Sequence, residues 1–186
     1  TVSLDPQSLT ARVATNSFAD FVKNYGVEIQ NNLVYDLRSN TSVRFGGGLM
    51  NFILTYPLWV RALPKDKTSV ITHRIDNVIL PWASELRLHQ EQLTKDSITV
   101  QELFTTSDMA GVQEGEFSLK PDTAWGRTNM APRLMGVALS KETSITQHPQ
   151  TRLVVLGDSE MFADQLVDGN PINIAFAVNA LSWLAS

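Results

Sequence analysis

Apolar residues recur at helical spacing near the start of the chain. Asn16 or Ser17 can cap a helix there, and Gly26 suits the left-handed position that follows a helix end. The apolar positions lie on one face of that helix: Phe18, Phe21, Val22 and Tyr25. The pattern therefore predicts a short amphipathic helix between the cap and Gly26.

A second helical pattern closes the sequence. Asn170 stands where a helix cap is expected, and Pro171 suits the first helical position. Because the segment is shorter than a membrane span requires, we expect a core helix. The predicted buried line is Ile174, Val178, Leu181 and Ala185, widened by Phe176, Ala180, Trp183 and Leu184.

The strongest strand signal covers residues 151–157, where 153–156 form an unbroken apolar run. Such a run is typical of a central strand buried on both faces, so we expect a parallel neighbour and helical cover. The chain then turns at 157–160, and a helical turn over 161–166 is expected. Further short strands are predicted at 27–29, 33–35, 69–75, 77–80, 85–88, 98–105 and 133–139, with a glycine loop at 46–48 and a long polar loop at 107–128.

Composition limits the classes of function. The 186 residues are 43% apolar and 18% charged, which predicts one globular domain over 1–186. The net charge of −4 argues against nucleic acid as the main partner. With no cysteine, thiolate catalysis and cysteine-based metal sites are excluded.

The turn after the predicted central strand is the most enzyme-like feature. Gly157-Asp158-Ser159 resembles the nucleophile block of the SGNH esterases, which implies a hydrolase acting through Ser159. However, no histidine follows His148, and a serine without a base is a weak nucleophile. The structural alternative is that Asp158 or Ser159 caps the next turn.

Other polar and aromatic residues give weaker signals. His73 with Asp76, and Asp164 with Asp168, lack a third ligand at a recognised spacing, so no metal or cofactor is predicted. Trp125 lies in a polar loop and is a candidate for an exposed stacking surface. Asn179 on the apolar C-terminal helix is expected to bond loop backbone, near Asp158.

Together these residues resemble the end of the gliding-motility-type ABC transporter auxiliary domain, whose relatives include a domain of an intraflagellar transport protein. The most specific part is 152–164 with Asn170, Phe176, Asn179 and 183–185; segments 4–6, 25–29, 32–36, 79–84 and 103–107 also fit.

The resemblance implies a fold similar to flavodoxin and class I glutamine amidotransferases, a three-layer α/β sandwich with a mainly parallel sheet. It implies a domain outside the cytoplasmic membrane, beside ABC permease and ATPase subunits. Transmembrane segments and an upstream portion outside this sequence would tether it. An antiparallel sheet with 152–156 at its edge would count against the resemblance.

Three functions stay open. The first is a non-enzymatic extracytoplasmic transport domain that binds a protein partner or ligand. The second is an SGNH-type hydrolase, and the third is a carbohydrate- or small-ligand-binding module. The candidate ligand or partner residues are Asp158, Ser159, Glu160, Asn170, Asn179 and Trp125.

Overall fold

Antiparallel β-sheet makes up most of the structure, a computed structural model that describes residues 2–5, 8–47, 50–143, 150–167 and 169–186. Every strand pair in these segments is antiparallel. The predicted flavodoxin-like sandwich with a mainly parallel sheet is therefore wrong. A mainly antiparallel fold with a curled half-barrel sheet takes its place.

The largest sheet has the strand order β13-β12-β9-β6-β5, with β7 also paired to β6. Three smaller groups pair as β1-β2-β11, β10-β4 and β3-β8. The strand bounds are Val2–Asp5 (β1), Thr10–Val13 (β2), Val27–Ile29 (β3), Asn32–Asp36 (β4), Asn40–Gly47 (β5), Met50–Pro64 (β6), Val78–Pro81 (β7), Leu86–Leu88 (β8), Thr99–Thr105 (β9), Ala110–Glu114 (β10), Phe117–Ser118 (β11), Leu134–Glu142 (β12) and Gln150–Leu156 (β13).

The strand predicted to be central, β13, is an edge strand of the largest sheet and pairs with β12. Its apolar run is nevertheless covered on both faces. Leu153 and Val155 pack in the cluster that contains Val22, whereas Val154 and Leu156 pack in the cluster that contains Phe176. The apolar run therefore indicates a strand that is covered on both faces. A strand can be covered in this way without a parallel neighbour.

The helices are short except for the last: Ser17–Lys23 (α1), Gln90–Lys95 (α2), Asp164–Val167 (α3) and Pro171–Ala185 (α4). The prediction of α1 is confirmed, since Asn16 accepts a hydrogen bond from the Phe18 amide and Gly26 has a φ of 77°. Within α1, however, Val22 is the buried residue, and Phe18 and Phe21 are about half exposed. The pattern did not predict α2, and it predicted a strand at 69–75, where the chain forms turns.

The closing helix α4 covers the sheet as predicted, and Phe176 and Ala180 are buried as expected, but the predicted central line of its apolar face is not. Asn173, Phe176 and Ala180 are its buried residues, and the Phe176 ring meets Phe104 edge to face at 5.1 Å. The line predicted to be buried is largely exposed: Ile174, Val178, Leu181 and Ala185. Both sides of α4 are apolar, so the periodicity alone did not distinguish them.

Candidate functional site

The turn after β13 is joined to a neighbouring segment by main-chain contacts. The Ser84 amide donates to the Gly157 carbonyl at 2.7 Å, and the Gly157 amide donates to the Met135 carbonyl at 3.0 Å. A Cβ at position 157 would lie 1.8 Å from the Ser84 carbonyl oxygen. Glycine is therefore required at this position by the close approach of two backbones.

The Asp158 carboxylate caps the turn, which confirms the structural alternative for that residue. Its Oδ1 accepts hydrogen bonds from the Glu160 amide at 2.8 Å and the Met161 amide at 2.6 Å. Its Oδ2 is buried and has no hydrogen-bond partner in the described structure. Burial raises the pKa of Asp158 to about 8, against the two amides that favour the ionised form.

Asp158 lines a cleft of about 810 Å³ together with Ser159 and Glu160. Trp82 after β7 and Phe18 at the start of α1 also line this cleft. This volume lies within the range of ligand-binding pockets in proteins. The three consecutive residues predicted from the sequence thus meet two aromatic side chains from distant parts of the chain.

Trp82 is held in an unusual conformation. Its φ is 52°, which is rare for a bulky residue, and its indole Nε1 donates to the Tyr56 hydroxyl at 3.1 Å. The Tyr56 hydroxyl in turn donates to the Leu119 carbonyl at 2.6 Å. Backbone strain of this kind persists where the surrounding contacts fix it.

The hydroxyl of Ser159 is not placed next to a histidine. It donates to Glu160 Oε1 at 3.3 Å, and no histidine is among the described residues that line the cleft. His89 lies elsewhere, with its Nε2 3.1 Å from Glu28 Oε2, and His148 lies outside the described residues. The arrangement of Ser159 therefore gives no support to a serine–histidine pair of the SGNH type.

Trp125 belongs to a different cavity, of about 620 Å³. Its ring packs against Tyr35 at a centroid distance of 4.9 Å, and the Tyr35 hydroxyl donates to the Gly126 carbonyl at 3.1 Å. Trp125 is half-buried, so part of its surface is covered by this contact. Arg133 and Asn129 also line this cavity.

The two candidate asparagines hold backbone in place. Asn179 donates to the carbonyls of Ile71 and His73, so the predicted bond to loop backbone is confirmed but its location near Asp158 is wrong. The Asn170 side chain donates to the Leu166 carbonyl at 3.1 Å and does not cap α4.

Asn173, and not Asn179, bonds to the backbone of the segment that follows Asp158. Its side chain is fully buried, accepts from the Ile79 amide at 3.0 Å, and donates to the carbonyls of Ile79 and Met161 at 3.0 Å. Its position among apolar residues of α4 was the available signal, since a buried amide needs partners.

The described part of the chain has no group of three or more metal-ligating side chains. Asp164 belongs to α3, whereas Asp168, its proposed partner, lies outside the described residues. Within the same segments, no helix has the length and apolar character needed to cross a membrane.

A family model described as an ABC-type uncharacterized transport system matches residues 2–181, so the chain belongs to this family. This confirms the predicted ABC transporter auxiliary family, whereas the gliding-motility type and the relation to an intraflagellar transport protein stay predictions. We expected an antiparallel sheet with β13 at its edge to count against this family. The match shows that this expectation was wrong. Neither the curated proteins nor the solved structures compared with the chain gave a match.

Proposed function

We propose that this chain is a non-enzymatic auxiliary domain of an ABC-type transport system, and that it binds a partner through the cleft at Asp158. The observation that supports the proposal is the set of polar and aromatic side chains that line this cleft. A turn joined to Ser84 through the Gly157 carbonyl brings two carboxyl side chains and a hydroxyl into a cleft that Trp82 also lines. This arrangement offers binding groups, and no histidine is among the described residues that line the cleft beside Ser159.

Family membership also supports a proposal for the place of the domain in the transport system. We propose that it lies on the extracytoplasmic side of the cytoplasmic membrane, tethered by segments outside this sequence, and contacts the permease and ATPase assembly. The gliding-motility type is the proposed subclass. Membership of an ABC-type transport family supports a role beside those subunits.

Photo-crosslinking in native membranes tests this proposal. A benzophenone amino acid replaces Ser159, which is exposed at the cleft, in the full-length protein. The matched control replaces Glu116, which is exposed at the other cavity. We expect the Ser159 position to capture the permease subunit and the Glu116 position not to do so. Failure to recover the permease from Ser159 would contradict the proposal.

The cavity at Trp125 favours a second candidate, a carbohydrate- or small-ligand-binding module. An aromatic ring and polar side chains line the same space, and the Arg133 Nε is buried without a hydrogen-bond partner in the described structure. Aromatic faces with neighbouring polar groups suit sugar rings. A glycan array with the Trp125→Ala variant as control tests this candidate, which fails if both proteins give the same signals.

A further inference from the structure

We infer that the cleft at Asp158 receives a positively charged side chain, an arginine or lysine of the partner. This inference rests on the proposed function, because it specifies the chemistry of the partner segment that enters the cleft. It combines the sign of the charges that line the cleft, the aromatic side chains beside them and the incomplete hydrogen bonding of one buried carboxyl group.

The ionisable groups that line the cleft are all acidic. Asp158 and Glu160 are the acidic residues among its described lining, and no lysine, arginine or histidine is present there. An anionic partner would therefore meet repulsion, whereas a cation would meet two carboxyl groups. The cleft thus selects its occupant by charge.

The aromatic walls suit the same occupant. Phe18 is 48% exposed, and both Phe18 and Trp82 line the cleft. Cations bind over aromatic faces, and the long aliphatic part of arginine or lysine packs on apolar surface. Val2 and Ile29 extend this apolar wall.

The carboxyl group of Asp158 provides a separate observation. Its Oδ2 is buried and has no hydrogen-bond partner among the described residues, although Oδ1 accepts from two backbone amides. An unpartnered buried polar atom is costly, and a cation entering the cleft would favour ionisation of this group. The site is therefore incomplete in a way that a positive charge corrects.

The surroundings of Asp158 make this coupling depend on pH. Glu160 on the same turn is the charged neighbour and raises the pKa of Asp158 further. The segments that face the cleft from β1, α1 and β7 contribute uncharged residues: Val2, Ser3, Asn16, Phe18, Pro81, Trp82 and Ser84. Because the pKa of Asp158 is about 8, cation binding should release its proton and tighten as the pH rises towards that value.

Calorimetric titration of the full-length protein tests the inference with two capped tripeptides, Ala-Arg-Ala and Ala-citrulline-Ala. Citrulline has nearly the shape of arginine without its charge. We expect the arginine peptide to bind roughly tenfold more tightly, and its affinity to rise between pH 6 and pH 8.5. Equal binding of both peptides, or no binding of either at about 1 mM, would overturn the inference. Choline binding as tightly as the arginine peptide would also overturn it, in favour of a free small cation.

Two matched pairs of variants assign the binding to this cleft. Glu160→Gln should weaken the arginine peptide roughly fivefold, and Phe18→Ala roughly threefold. The controls are Glu116→Gln, which removes the same charge at the other cavity, and Phe21→Ala, an equally exposed ring on α1 that does not line the cleft. Equal losses in variant and control would place the binding elsewhere.

The two proposals can fail separately. If Ser159 crosslinks to the transport subunits but the arginine peptide does not bind, the proposed function stands and the charge inference fails. If the peptide binds but no transport subunit is captured, the cleft selects cations and the assigned partner is wrong.

Discussion

Two aspartates stand at or just after strand ends, yet their hydrogen bonding differs. Asp36 ends β4 and is fully buried. Its Oδ1 accepts hydrogen bonds from the Arg38 and Ser39 amides and from the Ser107 hydroxyl, and its Oδ2 accepts one from the Ser107 amide. Asp158 follows β13, and its Oδ1 accepts from two amides, whereas its Oδ2 has no hydrogen-bond partner among the described residues.

The difference distinguishes a carboxyl group that stabilises the fold from the one for which we propose a binding role. The Asp36 contacts satisfy both oxygens and join β4 to the residues after β9, so Asp36 stabilises the fold. Asp158 fixes its own turn with one oxygen and leaves the other without a partner beside an open cleft. A buried carboxyl group that is only half satisfied is a better candidate for function than one that is fully satisfied.

The largest effect is expected at the satisfied carboxyl group. Asp36→Ala should lower the free energy of unfolding by about 4 kcal/mol, because it leaves buried donors unpaired and opens space in the core. Urea denaturation followed by circular dichroism measures this loss. The control is Asp108→Ala, whose exposed carboxylate pairs with Arg38 and should change stability by less than about 0.5 kcal/mol. Similar losses in the two variants would refute a structural role specific to Asp36.

The next effect concerns the backbone that supports Asp158. Gly157→Ala should cost about 3 kcal/mol, because the new Cβ cannot lie 1.8 Å from the Ser84 carbonyl oxygen without opening the turn. Thermal unfolding measures the change. Gly169→Ala is the control, since a Cβ there would have its nearest described contact at 3.9 Å and should shift stability by less than about 1 kcal/mol. A stable Gly157→Ala protein would show that the turn is not fixed by this contact.

A pH series distinguishes the unsatisfied carboxyl group from the satisfied one. The pKa of Asp158 is raised from 3.8 to about 8, so its neutral form is favoured in the folded state. Its contribution to stability is present at low pH and is lost as the pH rises from about 4 to about 8. Asp158→Asn should therefore match the wild type near pH 3, and its stability relative to the wild type should rise by about 1.4 kcal/mol per pH unit between about pH 4 and about pH 8. A constant difference across the series would contradict the raised pKa.

The smallest effect tests the Ser107 hydroxyl in the Asp36 group. Ser107→Ala removes the hydroxyl that donates to Asp36 Oδ1 at 2.7 Å and accepts from the Met109 amide at 3.1 Å, but it keeps the amide that donates to Asp36 Oδ2. We expect a loss of about 1.5 kcal/mol in chemical denaturation. Ser42→Ala on the exposed side of β5 is the control and should have little effect. A loss as large as that of Asp36→Ala would mean that the hydroxyl dominates the group.

Short sequence patterns predicted the ends of helices better than they predicted how the strands pair. Asn16 and Gly26 gave both ends of α1, and Pro171 gave the start of α4, because caps depend on a few neighbouring residues. The apolar run of β13 was correctly predicted as a strand with two covered faces. It did not reveal strand direction, because side-chain burial is insensitive to whether the neighbouring strand runs parallel or antiparallel.

The candidate site was predictable only in part. The turn Asp158–Glu160 could be found because polar residues follow a strong strand signal. Phe18 was assigned to the buried face of α1, and its place in the cleft depends on how distant segments pack. Asn173 and Asn179 both invited a search for buried partners, but which of them faces Met161 is decided by the rotation of α4.

The main-chain bond between Ser84 and Gly157 has a consequence for how such a domain can change. This bond joins two backbone segments that line the cleft, and it uses no side chain. Substitutions at Ser159 or Glu160 therefore leave the bond in place. With the binding role proposed above, related transport systems would differ in the partner they accept through a few substitutions at the cleft, while the backbone around it stays the same.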